Sequence, residues 1–191
     1  AHDRLEVIDG VEVDSTSNEI QGVVLGCLKG NGNYLERILS KRVLYATADL
    51  EPLRELVAKN LSQNVERHYA GLAINQLKAF DSAEQPTAKR VLYVLRSSLT
   101  GKHLLETGEL EVNLASLLER YGYQDAREMI ERKRAQEKLP LAADERDHWR
   151  ARAETAIDLL RAARVDSVLP PEPQAVAELE EWLIELRRRT L

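Results

Sequence analysis

The chain has 191 residues, 43% hydrophobic and 31% charged, with 27 basic against 32 acidic side chains and a net charge of -5. That length carries one good-sized core, or a small domain with a packed extension, and excludes two large independent domains; the composition excludes disorder as the main state. The acidic balance also excludes a surface devoted to wrapping nucleic acid, since such affinity comes from neutralising phosphates, and leaves room only for a local basic groove.

From the N-terminus, Leu5-Glu6-Val7-Ile8 and Val11-Glu12-Val13-Asp14 alternate around Asp9-Gly10, the dipeptide a two-residue type I′ turn prefers, and predict strands at about 4–8 and 11–15. A lone hairpin is marginal in water. The expectation is therefore a hairpin belonging to a larger sheet whose other strands are encoded upstream. Thr16-Ser17-Asn18-Glu19 fits a capping box, and Ile20, Val23, Val24, Cys27 and Leu28 follow with helical spacing. Cys27, the single cysteine, sits in this apolar run and is expected to be a buried, inert thiol. The helix should stop at Lys29-Gly30-Asn31-Gly32, where the glycines permit left-handed backbone.

Further helices are expected at roughly 33–39, 50–60, 63–80, 87–105, 114–120, 124–137, 145–164 and 174–188, separated by breakers such as Gln85-Pro86, Thr107-Gly108, Leu139-Pro140 and Pro170-Pro171. The fold class is thus α+β and helix-dominated. Leu169-Pro170-Pro171-Glu172-Pro173 reads as a stiff linker, and Val176, Leu179, Leu183 and Leu186 form the apolar stripe of the last helix. No run reaches the roughly 20 apolar residues that span a bilayer, so a cytoplasmic location is expected.

Two places carry candidate chemistry. Glu12 and Asp14 lie two apart on a strand and share one sheet face, where paired carboxylates can hold a hard cation such as Mg²⁺; a solvated strand face has the same spacing. On the helix at 87–105, Lys89, Tyr93, Arg96, Thr100 and His103 form one polar stripe beside Leu92, Leu95 and Leu99. Lysine and arginine in line can bind triphosphate oxygens, and an ordinary wet helix face has the same pattern. The preceding helix carries a comparable line of Asn64, Arg67 or His68, Gly71, Asn75 and Lys78. No Walker, dinucleotide-binding, H-E-x-x-H or G-x-S-x-G fingerprint is present.

Val13-Asp14-Ser15-Thr16-Ser17-Asn18-Glu19-Ile20, Lys29-Gly30-Asn31-Gly32-Asn33-Tyr34-Leu35-Glu36, Ala88-Lys89-Arg90-Val91-Leu92-Tyr93-Val94-Leu95-Arg96 and Leu99-Thr100-Gly101-Lys102-His103-Leu104-Leu105-Glu106-Thr107-Gly108-Glu109 occur in an order that resembles nucleotidyltransferases of the DNA polymerase β superfamily. The likeness is to the group called the RNA repair pathway DNA polymerase β family. It implies transfer of a nucleoside monophosphate from a nucleoside triphosphate to a hydroxyl acceptor such as an RNA end. Members carry an upstream Gly-Ser turn and an Asp-x-Asp strand, and neither appears in this sequence. The resemblance makes Asp14 the third catalytic carboxylate and Mg²⁺ ligand, with Glu12 as its alternative, in a two-metal site completed by upstream residues.

The same resemblance assigns Lys29, Asn31, Lys89, Tyr93 and Arg96 to nucleotide binding and implies that all of them converge with Asp14 on one concave surface. It divides the chain into the end of a nucleotidyltransferase core at 1–40, a helical domain at 41–168, and a proline-rich linker with a C-terminal helix at 169–191. The 191-residue chain alone is expected to be inactive. A non-catalytic helical module that binds a partner protein or a nucleic-acid end is the alternative, and a degenerate remnant whose hairpin pairs with a partner chain is a third possibility.

Overall fold

The computed structural model describes residues 2–135 and 140–190. The strands β1 (His2–Ile8) and β2 (Val11–Ser17) form an antiparallel hairpin, with Leu5 opposite Asp14 and Val7 opposite Glu12. Its turn has positive φ at both Asp9 (51°) and Gly10 (81°), the geometry a type I′ turn requires. Each strand runs two residues further from the turn than the alternation predicts. The hairpin makes a two-stranded sheet, and Leu5, Val7, Ile8 and Val11 are more than half exposed.

The helices follow in chain order: α1 (Ile20–Leu28), α2 (Gly32–Leu39), α3 (Leu50–Lys59), α4 (Val65–Asp81), α5 (Ala88–Thr107), α6 (Leu114–Arg120), a 3-10 turn (Gln124–Ala126), α7 (Arg127–Ala135), α8 (Ala143–Ala162) and α9 (Val176–Thr190). The chain is α+β and helix-dominated. Residues 136 and 137, which the periodicity places at the end of α7, lie outside the described residues, as does Leu139 of one expected breaker.

One local expectation is corrected. Strand β2 continues through Ser17, which leaves no room for a capping box at Thr16, and α1 is instead capped by Glu19, whose carboxylate accepts from the Gly22 amide at 2.9 Å. The acceptor role has moved from the first residue of the box to the last. At the other end of α1, the chain turns through Gly30 (φ 71°), and Asn31 caps α2 by accepting from the Asn33 amide at 3.0 Å.

Helix α5 is the centre of the body. Thirteen of its 20 residues are buried, because α4, α6, α7 and α8 all pack on it. This corrects the polar stripe: Thr100 (0% exposed) and His103 (7%) are interior residues, and only Lys89, Tyr93 and Arg96 reach the surface. Gly101 marks the closest approach, since a Cβ there would meet the Tyr69 Cβ at 2.7 Å and a Leu160 methyl at 2.8 Å.

Two main clusters fill the body. One joins Val24, Cys27, Leu35, Val57, Tyr69, Leu104, Leu160 and Leu179, and the other joins Phe80, Leu92, Leu95, Leu99, Leu118, Tyr123 and Met129. The first draws on α1 through α5, α8 and α9, so the C-terminal helix shares a core with the N-terminal ones. Its proline-rich approach is tied down rather than free: the Gln63 amide donates to Pro170, and the Asn60 side chain both donates to the Ala175 carbonyl and accepts from its amide. Burial pushes the Cys27 thiol up to about 12, which keeps it protonated and unreactive at neutral pH. No helix among the described residues is long and apolar enough to cross a membrane.

Gly30 joins this fold's two halves by backbone contact. A Cβ on it would sit 2.5 Å from the Asn64 carbonyl carbon and the Val65 nitrogen, at a φ that L side chains rarely adopt. Gly30→Ala is expected to lower stability by about 2–4 kcal/mol in urea unfolding. A midpoint equal to that of the unsubstituted chain would show that the α1–α2 turn does not pack on α4 this way.

Candidate functional site

The approach of the α1–α2 turn to α4 creates the first groove. Gly32 begins α2 directly against α4, where a Cβ would meet the His68 ring at 2.8 Å and the Tyr69 ring at 2.7 Å. The groove, about 760 Å³, is lined by Lys29 and Asn31 from the turn and by Asn64, Arg67, His68, Gly71, Leu72 and Asn75 from the start and one face of α4. The polar line read on the helix at 63–80 therefore faces a cavity as far as Asn75, while Lys78 lies outside its lining, and Gly71 leaves its floor bare.

None of these lining residues is acidic. Lys29 is exposed and Arg67 is exposed, and neither makes an ion pair among the described residues. Asn64 is held by Glu172 at 3.0 Å. Asn31 spends its side-chain oxygen on the α2 cap, which leaves its amide NH₂ for a ligand. The His68 Nε2 is buried with no hydrogen-bond partner among the described residues, and burial lowers its pKa below the usual histidine value. A buried polar atom without a partner is costly, and this nitrogen is closed off from the groove that the rest of the His68 residue lines.

Glu36 on α2 holds these pieces in place. It accepts from the Tyr69 hydroxyl at 3.1 Å and pairs with Arg96. Tyr69 is 1% exposed, and its pKa is raised well above the usual phenol value by burial and by the Glu36 charge. Arg96 is therefore a strut between α5 and α2 as well as a surface cation. Glu36 lies in the Lys29–Glu36 motif, yet sequence spacing gives no hint of its partners.

The second groove, about 380 Å³, lies across α5. Lys89, Leu92, Tyr93 and Arg96 line it together with Asn113 to Ala115 at the start of α6 and Ile130, Lys133 and Arg134 from α7. Lys89, Tyr93 and Arg96 thus share a concave surface, but not with Lys29 and Asn31. Asp14 and Glu12 line neither groove. Both are exposed on the hairpin, and the register puts them on the face that also carries Leu5 and Val7. The single surface implied by the resemblance is divided in the structure, because α4 and α5 pack side by side and their polar lines open in different directions from the Tyr69–Glu36–Arg96 junction.

Magnesium needs near-octahedral oxygen ligation. Glu12 and Asp14 offer two carboxylates on an open strand face, and no three His, Cys, Asp or Glu side chains converge to hold a metal among the described residues. These residues by themselves do not fit a magnesium centre.

The segment Leu99–Glu109 serves structure. Tyr121 donates to Glu106 at 2.9 Å, so its oxygen accepts from His103 Nδ1 at 3.0 Å, which assigns the proton to that nitrogen. Lys102 pairs with Glu106 and lies 4.8 Å over the Tyr121 ring. Thr107 donates to the His103 carbonyl at 2.7 Å and accepts from the Glu109 amide at 3.1 Å. Thr107 therefore closes the turn after α5, where Gly108 takes φ 72°.

A hairpin joined to a helical body, with two cation-lined grooves on either side of the half-buried Glu36 carboxylate, describes an α+β, helix-dominated protein. The chain belongs to the RNA repair pathway DNA polymerase beta family, whose sequence profile matches residues 3–185. Its class is therefore nucleotidyltransferase-like, within the DNA polymerase beta superfamily. An uncharacterized protein of Methanocaldococcus jannaschii is 28% identical over 103 residues, covering 54% of this chain and 42% of that protein. The chain thus spans less than half of that relative's length. No solved structure matches the chain.

Two outcomes follow from the junction and from His68. Glu36→Ala leaves the buried Tyr69 hydroxyl and Arg96 without their acceptor and should cost about 1–3 kcal/mol in urea unfolding; no loss would mean the junction is not formed. His68 is held below its unfolded pKa of about 6.5, so the folded chain binds fewer protons between the two values. Its contribution to stability is whole above about pH 6.5 and is lost as pH falls through the folded pKa. His68→Asn should flatten the decline of the unfolding midpoint as pH falls below about 6.5, leaving the share that comes from His103, also lowered by burial. An unchanged or steeper decline would contradict the assignment.

Proposed function

We propose that this chain is part of a nucleotidyltransferase that moves a nucleoside monophosphate from a nucleoside triphosphate to a hydroxyl acceptor, an RNA end, and that the triphosphate lies in the groove between the α1–α2 turn and α4. The observation that carries this reading is the meeting of Lys29, Arg67 and the unpartnered His68 in a cavity lined by no carboxylate. Phosphate oxygens would take Lys29 as a point charge and Arg67 as a planar fork. A bound phosphate beside His68 would favour protonation of the ring.

In the transfer, the acceptor hydroxyl oxygen forms a bond to the α-phosphorus while the bond from that phosphorus to the bridging oxygen breaks. Pyrophosphate leaves with the electron pair, and the hydroxyl proton passes to a base or to solvent. Asp14, with Glu12 as the alternative, is the carboxylate we assign to this step. Magnesium at Asp14 would require oxygen ligands beyond the described residues, so the 191-residue chain is expected to show little transfer by itself.

Calorimetric titration of a nucleoside triphosphate into the chain tests the groove. Lys29→Ala and Arg67→Ala should each weaken binding about tenfold, the size of one lost charge-assisted hydrogen bond. Gly71→Leu should abolish binding while the fold survives, because a Cβ at Gly71 meets nothing within 4 Å and leaving glycine favours the helix. Equal affinity in all three variants would remove the nucleotide from this groove. Incubation with labelled nucleoside triphosphate, Mg²⁺ and RNA tests the chemistry: strong labelling by this chain, lost on Asp14→Asn, would show that it needs no further ligands.

A further inference from the structure

The second groove does not end at Arg96. On the far side of the Arg96–Glu36 pair lies a further cleft of about 430 Å³, lined by Asn33, Glu36, Arg37, Ser40, Arg42 and Val112. The two clefts share this ion pair as their common floor, one contributing Arg96 and the other Glu36. They also share a rim, since Val112 borders one and Asn113 the other. The two clefts adjoin at the Arg96–Glu36 pair and at Val112–Asn113, and form one track over α5 and α2 in that sense.

The charge of this track is opposite to that of the whole chain. Six cationic side chains line it, at Arg37, Arg42, Lys89, Arg96, Lys133 and Arg134, against the single carboxylate of Glu36. Arg37 and Arg42 pair with no carboxylate among the described residues, while Arg134 pairs with Glu131. A protein of net charge -5 that gathers cations here gains a local attraction for polyanions without a generally basic surface.

An aromatic platform sits among these cations. Tyr93 is 39% exposed, and the Lys133 ammonium lies 5.7 Å from its ring centre. Buried Leu92 and half-buried Leu114 and Ile130 form the apolar bed beside it. A cationic track with an exposed ring and an apolar bed is the arrangement by which single-stranded nucleic acids are held, their phosphates on the cations and a base stacked on the ring. A duplex keeps its bases stacked inside and offers none to Tyr93. The stretch of α5 from Lys89 to Arg96 is about 10 Å long, and a stacked strand advances about 3.4 Å per nucleotide, so α5 alone accompanies several nucleotides.

We propose that the track from Arg42 across Arg96 to Tyr93 and Lys133 binds a single strand of RNA, with one base stacked on Tyr93. The proposal deepens the functional reading above by locating the acceptor strand, and it rests on that reading for the choice of acceptor. Strand binding itself requires neither nucleotide nor transfer, which keeps the two failures apart.

Fluorescence anisotropy of a labelled single-stranded RNA oligonucleotide, titrated with the chain at several salt concentrations without nucleotide, is the test. Tyr93→Ala should weaken binding about tenfold, and Tyr93→Phe, which keeps the ring, should restore most of it. Lys133→Ala and Arg42→Ala should each weaken binding and flatten the salt dependence by about 0.7 in the logarithmic slope, as one phosphate contact is lost from each end of the track. Thermal melts of the four variants establish that each is folded. Binding that ignores all four substitutions, equal affinity for a duplex of the same length, or no binding at low salt would overturn the proposal. Single-stranded binding by a chain that takes up no nucleoside triphosphate would uphold the track while removing the nucleotide from its groove.

Discussion

The carboxylate of Glu36 is the constraint on which the two grooves depend. It accepts from the buried Tyr69 hydroxyl of α4 and from the Arg96 guanidinium of α5, so one short helix is pinned to the two longest elements of the N-terminal half. A buried hydroxyl and a partly buried guanidinium both need an acceptor, and one carboxylate satisfies both. The pinning works only because Gly30 and Gly32 let the α1–α2 turn touch α4 with backbone and ring rather than with side chains. From this contact come the walls of the α1–α2/α4 groove on one side and part of the cationic clefts on the other.

The electrostatics divide along the same line. Among the described residues this net acidic chain holds many of its cations in ion pairs, as at Arg127 with Glu119, Arg150 with Asp81 and Arg187 with Glu19. Exposed pairs of this kind contribute little to stability. Lys29, Arg67, Arg37, Arg42 and Lys133 line open clefts and make no ion pair among the described residues. The two sets of clefts differ chemically as well as spatially: one is lined by Lys29, Arg67 and His68, and the other combines cations with the exposed Tyr93 ring.

The hairpin stands apart from this body. Its register sets Glu12 and Asp14 on one face with Leu5 and Val7, and Glu6, Ile8, Val11 and Val13 on the other. Both faces therefore mix apolar and charged groups, and neither is covered among the described residues. A two-stranded ribbon is marginal in water by itself. The distance from the hairpin carboxylates to the helical body is set by how the ribbon is held, which is a property of tertiary contacts and not of the strand.

Periodicity and turn chemistry alone determined the element order, because these are local: Asp9-Gly10 takes positive φ at both residues, helical spacing marks the apolar stripes, and glycines at positive φ follow α1, α5 and α6. Local rules misplaced the cap of α1, where hairpin pairing carried β2 through Ser17 and handed the cap to Glu19. They also extended the α5 stripe too far, since spacing shows which residues share a face and not whether another helix covers it; the helices packed on α5 leave Thr100 and His103 buried. The polar line of α4 was legible, and so were Lys89, Tyr93 and Arg96. Only the tertiary structure decided that they line separate clefts, that Arg96 is tied to Glu36, and that Arg42 and Lys133, some ninety residues apart in sequence, border one track. Charge pairing and cleft formation depend on contacts between helices distant in the chain, and no local pattern records which side chains those contacts will leave open.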